Sequence, residues 1–285
     1  MNEAQDASPL PTQAPPRKRP PFLLMIITVL FVLVPFLFWR GTWFGRPLTE
    51  EETSQYLSDT QHPRKTQHAL VQIAQRIEQG DPSARRWYPQ VQRLAKHEHA
   101  EIRGTAAWVM GQDNQSAEFH SALLDLLDDP EPGVRQNAAL GLVRFGDAAG
   151  KSEIRRMLQP FAVEAPAAGS LAIRLKPDDP VSSGTLLARI RQSDEKEIEV
   201  RSPLPGRVQQ WLVRDGQQVE AGDSVVLLAP DEAQVWEALR ALYLIGGPED
   251  LEDVELYARG AEGMPPRVQE QARSTADAIW QRTAK

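Results

Sequence analysis

Two stretches of the chain combine residue types that can do chemistry. His97, Glu98 and His99 supply imidazole and carboxylate groups of the kind that ligate zinc and other transition metals. They alternate within three residues, no further ligand is near in sequence, and His62, His68 and His120 are scattered. The pattern reads as a solvated loop before a helix. The second stretch is Gly146, Asp147, Gly150, Lys151 and Ser152, whose glycines and lysine suggest a phosphate cradle. It is one residue too short for the nucleotide-binding loop and follows a helical pattern instead of a strand. Gly146 is better explained as a helix C-cap and Ser152 as the start of the next helix. No Ser/His/Asp signature, dinucleotide-binding turn or nucleophile elbow is present. The chain has no cysteine, which excludes disulfides, thiolate metal sites, thiol nucleophiles and a lipoprotein anchor. Its 39 acidic and 32 basic residues leave no basic footprint for nucleic acid. The reading is therefore non-catalytic, with no metal, no cofactor and no nucleic-acid partner.

The elements around these residues are organised by repetition. Val163, Pro166, Gly169 and Leu171 recur 37 residues later as Val200, Pro203, Gly206 and Val208. With the spacing slipped to 38, Val181, Gly184 and Leu187 recur as Val219, Gly222 and Val225. One short-stranded unit used twice predicts a small two-fold β-sandwich over 161–230. The Asp215-Gly216 pair marks a turn that needs φ > 0. Residues 200–228 resemble the second half of a biotinyl/lipoyl-type barrel-sandwich hybrid. That domain is found in biotin and lipoate carriers and in the periplasmic adaptors of bacterial export systems. The resemblance covers about 70 residues, a quarter of the chain. Carriers of this family present one lysine at the hairpin between the half-motifs. Here that hairpin spans 191–198, and Lys196 is its only lysine. The resemblance thus makes Lys196 the candidate site for a covalently attached cofactor. Its neighbours are Glu195 and Glu197, where carriers have Met on both sides of a biotinylated lysine or Asp-Lys-Ala at a lipoylated one.

Residues 48–160 read as helices. Thr49 and Glu52 form a capping-box pattern, and Pro63 suits a first helical position ahead of Leu70, Ile73, Ala74 and Ile77. Ile102, Arg103, Ala106 and Ala107 recur 32 residues later as Val134, Arg135, Ala138 and Ala139. This spacing resembles the short form of HEAT repeats, which implies stacked helical pairs with a concave protein-binding face. Such short repeats also occur in bilin lyase relatives, but no cofactor-handling residue here carries that chemistry. Arg103 and Arg135 are placed to pair with carboxylates such as Asp128 or Asp129 between units. The pattern resumes over 231–285, where Ala238, Ala241, Leu242 and Gly246 match Ala138, Gly141, Leu142 and Gly146 at an offset of 100. The β-module therefore reads as an insert. Trp87, Trp108, Trp211, Trp236 and Trp280 are expected to anchor the core or the repeat interfaces.

Residues 1–21, rich in Pro, Gln and Ala, read as a disordered cytoplasmic tail. Residues 22–39 carry no charge and only Thr28 as a polar side chain. As a helix they extend about 27 Å, which predicts a transmembrane anchor. Arg17, Lys18 and Arg19 before the run place the N-terminus in the cytoplasm by the positive-inside rule. The expected class is α+β: an N-terminal transmembrane helix, an α-solenoid of HEAT-like pairs and an inserted barrel-sandwich hybrid. The expected role is a membrane-anchored, non-catalytic scaffold or adaptor. It would sit in the inner membrane as a single-pass protein with periplasmic domains, engaging an envelope protein, a transporter or a membrane complex. The alternative is a biotin- or lipoate-type carrier modified at Lys196.

Overall fold

The computed structural model describes residues 26–27, 29–31, 33–34, 36, 47–59 and 61–284. The chain divides into two compact units, Met1–Leu48 and Thr49–Lys285. In the first unit the described residues between 26 and 36 are helical, and their apolar side chains are exposed. Among the described residues no helix is long and apolar enough to cross a membrane. The transmembrane helix expected at 22–39 is overturned, and with it the single-pass inner-membrane localisation. The expected tail at 1–21 and the rest of the run lie outside the described residues.

The second unit is α+β. Its helices are α1 (Glu50–Leu57), α2 (Pro63–Glu78), α3 (Tyr88–Leu94), α4 (Ala100–Met110), α5 (Ala117–Asp125), α6 (Pro132–Arg144) and α7 (Lys151–Arg156). After the sheets come α8 (Glu232–Ile245), α9 (Leu251–Ala258) and α10 (Pro266–Thr283). Local chemistry starts several of them. The Thr49 backbone N–H donates to Glu52 Oε2 at 2.9 Å and the Glu52 N–H to Thr49 Oγ1 at 3.2 Å, closing the capping box of α1. Proline occupies the first turn of α2, α3, α6 and α10, where its missing N–H leaves no helical bond unmade.

Helices α2, α4, α6, α8 and α10 stack in succession as one layer, and α3, α5, α7 and α9 cover it as a second. Small side chains set the spacing. Ala106, Ala107, Ala138 and Ala139 are fully buried, and a Cβ built on Gly150 would lie 2.6 Å from Ala139 Cβ. The stack runs through the point where the sheets intervene in sequence. Ala139, Val143, Ile154 and Leu158 share one core with Val235, Leu239, Leu242 and Val254. The Tyr257 hydroxyl donates to the Leu158 carbonyl at 2.7 Å across the same junction.

Between α7 and α8 the chain forms β1 (Phe161–Glu164), β2 (Gly169–Ile173), β3 (Pro180–Val181), β4 (Leu186–Arg191), β5 (Glu197–Arg201), β6 (Gly206–Trp211), β7 (Gln218–Val219) and β8 (Ser224–Ala229). They make two antiparallel four-stranded sheets, ordered β1-β8-β6-β3 and β5-β4-β2-β7. Advancing every strand by four turns one order into the other, so the sequence duplication is a structural two-fold. The slip from 37 to 38 has a physical origin. In β2–β4, Leu171 faces Ile190 and Ala172 faces Arg189 without interruption. In β6–β8, Val208 faces Leu228 but Gln210 faces Leu227, leaving Gln209 as the extra residue of a β-bulge. Equivalent glycines solve equivalent crowding: a Cβ on Gly169 would lie 2.5 Å from the Arg191 carbonyl oxygen, and one on Gly206 would lie 2.5 Å from that of Ala229. Leu171, Leu187, Ile190, Val208, Val225 and Val226 fill the space between the sheets.

Candidate protein-interaction groove

The repeat spacing that buries one face of each first-layer helix leaves another face free. On α4, Ile102, Ala106, Val109 and Met110 are fully buried. Glu101, Thr105, Trp108 and Gln112, at steps of four, three and four, lie along a different stripe. The 32-residue repeat carries that stripe to Gly133, Asn137, Leu140 and Arg144 on α6, and the offset of 100 carries it on to Ala233, Glu237, Arg240 and Leu244 on α8.

Two concavities open along this surface. One, about 790 Å³, is bordered by Trp108, Gln112, Arg144, Arg240 and Leu244. The other, about 660 Å³, reaches from Val71 on α2 past Glu101 and Glu131 to the Pro203-Leu204-Pro205 loop of the sandwich. Trp108, Asn137, Leu140 and Glu237 line both, so they form one groove. Its apolar side chains are open to solvent: Val71 is 38% exposed, Trp108 37%, Tyr243 44% and Leu244 62%.

Ion pairs tie neighbouring repeats together. Arg103 grips Asp129 with Nε at 2.6 Å from Oδ2 and Nη2 at 2.8 Å from Oδ1, and its Nη1 donates to the carbonyls of His97 and Glu98. One repeat on, Arg135 Nη1 donates to the carbonyls of Asp129 and Pro130, and its Nε pairs with Glu153 Oε1 at 3.0 Å. Burial alone would raise the Asp129 pKa. The Arg103 hydrogen bonds and the Glu131 N–H outweigh it and hold the carboxyl below its usual range. Burial, helped by the nearby Asp253 charge, pushes the Tyr257 phenol up to about 12.

The sandwich joins the groove through one of its two equivalent loops. Leu204 is only 3% exposed, and its Cδ2 would lie 3.7 Å from a Cβ on Gly133, at the start of α6. Its two-fold counterpart, Ala167, has no such burial. The duplicated loops have thus diverged, one to dock on the helices and one to face away from that contact.

The candidates from the sequence lie elsewhere. Lys196 is exposed at the trailing side of the β4–β5 turn. Its N–H donates to Asp194 Oδ1 at 3.2 Å, and its carbonyl accepts from Gln192 N at 2.9 Å. The preceding Glu195 takes a left-handed φ of 64°. The His99 N–H donates to His97 Nδ1 at 3.1 Å, and among the described residues no three histidine or acidic side chains gather as a metal site. Gly146, at φ 75°, ends α6, and Lys151 is engaged by Glu249 on the next repeat. The expectation that the five tryptophans anchor the core or the repeat interfaces needs correction at two of them. Trp87 is buried, but Trp108 and Trp280 are 37% and 55% exposed. Trp108 was the missed groove residue. Its neighbours Ala107 and Val109 are both buried, and only the stacking of the helices separates it from them.

The family model for HEAT repeats matches residues 89–172. That span runs from α3 through α7 and extends into β2, so its last residues fall on strands. HEAT repeats fit a protein-interaction scaffold and imply protein partners. No curated protein matches the chain. Among solved structures, a single-chain, multi-domain long-chain acyl-CoA carboxylase is similar at 16% identity with a TM-score of 0.24. The match covers 35% of this chain and 11% of that one, so the chain spans about a tenth of that protein's length.

Proposed function

We propose that this chain is a non-catalytic scaffold that binds a protein partner in the groove formed by α2, α4, α6 and α8. The observation that carries the proposal is the set of exposed apolar side chains lining the groove, Val71, Trp108, Tyr243 and Leu244, together with the half-buried Leu140. Exposed patches of this kind, rimmed by polar groups, mark association surfaces, and an exposed tryptophan is a favoured anchor. The duplicated eight-stranded sandwich supports reading 161–229 as a biotinyl/lipoyl-like barrel-sandwich hybrid that serves as a second contact module. An envelope-protein, transporter or membrane-complex partner rests on the likeness of the sandwich to export adaptors alone, because among the described residues no helix is long and apolar enough to cross a membrane.

A photo-crosslinking residue at position 108, compared with one at Leu256 on the second layer, tests the groove. Adducts specific to position 108 are expected; equal or absent adducts refute the assignment. The exposure of Lys196 at a hairpin favours a second reading, a carrier. Intact mass of chain isolated from its native source decides it: an unmodified mass removes the carrier reading.

A further inference from the structure

The half of the groove nearest the sandwich has a distinct charge. Glu101, Glu131 and Asp231 stand where α4, α6 and α8 begin, and Glu237 lies six residues beyond Asp231 on α8. No lysine, arginine or histidine lines this half among the described residues. Arg103, on α4, is already held by Asp129 through both Nε and Nη2. Glu237 lies 3.6 Å from Arg240, which belongs to the other half. Each helix start contributes roughly half a positive charge, so three carboxylates at three helix starts leave a negative remainder.

A second observation concerns Gln136 on α6. It is 9% exposed and lines this half of the groove, and its amide makes no hydrogen bond within the described protein and is not sealed from solvent.

We infer that this half of the groove receives an extended segment of a partner protein bearing basic residues beside an aliphatic one. The basic side chains face Glu101 and Glu131, the aliphatic one sits between Val71, Trp108 and Leu140, and the Gln136 amide meets the segment's backbone. The Pro203-Leu204-Pro205 loop closes the end, so helices and sandwich both touch the ligand. This deepens the scaffold reading and rests on it.

The test uses the full chain and a panel of short linear peptides of graded net charge, each with one central leucine. Cationic peptides are expected to bind preferentially, with affinity falling as salt rises. The double variant Glu101→Gln/Glu131→Gln should weaken them about tenfold. Gln136→Leu should weaken binding severalfold while leaving the melting temperature equal or higher, which a purely structural glutamine would not do. Binding that is indifferent to charge yet lost in Trp108→Ala overturns this inference and leaves the groove reading intact. Binding indifferent to Trp108→Ala overturns both. A panel with no binder overturns the inference alone, because the crosslinking at position 108 stands separately.

Discussion

Replacing Asp129 with alanine tests the claim that ion pairs between repeats hold the stack. The Asp129 side chain is 5% exposed and that of Arg103 13%. Three donors converge on the carboxylate: Arg103 Nε and Nη2, and the Glu131 N–H at 2.9 Å. Removing one partner of a buried pair typically costs about 3–5 kcal/mol. The lower end applies here, because Arg103 keeps its Nη1 bonds to two carbonyls. For a unit of this size, about 3 kcal/mol corresponds to a drop of roughly 6–12 °C in melting temperature. The Arg191–Glu197 pair on the sheet, 68% and 40% exposed, supplies the contrast. Its loss should cost under about 1 kcal/mol. The pH dependence has a definite sign. A carboxyl held low in the folded state contributes fully above its unfolded pKa, about 3.9, and loses that contribution as pH falls through the lower folded value. Urea melts followed by circular dichroism should therefore show a large gap between wild type and variant at pH 7 that closes in acid below about pH 4. A gap below about 1 kcal/mol at pH 7, or one unchanged down to strong acid, would refute the reasoning.

Two further substitutions probe packing. Gly150→Ala forces a methyl to 2.6 Å from Ala139 Cβ and should cost about 1–3 kcal/mol in a urea melt, recovered in part by Ala139→Gly. Leu204→Ala removes the buried contact between sandwich and α6 and should cost about 2–3 kcal/mol. Limited proteolysis should then cut faster at 157–160 and 230–231, with the sheets themselves still protected.

Much of the local structure was legible because it is written in short-range chemistry. Thr49 with Glu52, Pro63, and Gly146 at a helix end each act within one turn, and each does what its type dictates. The duplication was legible too, and the one-residue slip proved to be a bulge at Gln209. What escaped was any property set by the third dimension. Asp178, at φ 71°, holds the left-handed position that Gly216 fills in the other half, although nothing in its type demanded it. Trp108 looked like core because its helix is largely apolar. Which stripe of that helix meets a neighbour depends on the stacking angle, and local periodicity does not encode that angle. Leu204 and Ala167 stood in equivalent positions of the repeat, and only the docked structure separates their roles. The run at 22–39 misled through composition: apolar length describes a property of the chain without fixing where it resides.

Phe161 and Leu228 are cross-strand neighbours, so the sheets leave and rejoin the helices at a single place. Beside that place α7 packs against α8 and reaches on to α9, with Arg155 pairing with Asp253 and the Leu158 carbonyl accepting from the Tyr257 hydroxyl. The sandwich is therefore a side branch whose excision leaves the trunk continuous. A short splice in place of 161–229 needs only to bridge adjacent ends, which would turn the two-module molecule into an uninterrupted column of helices.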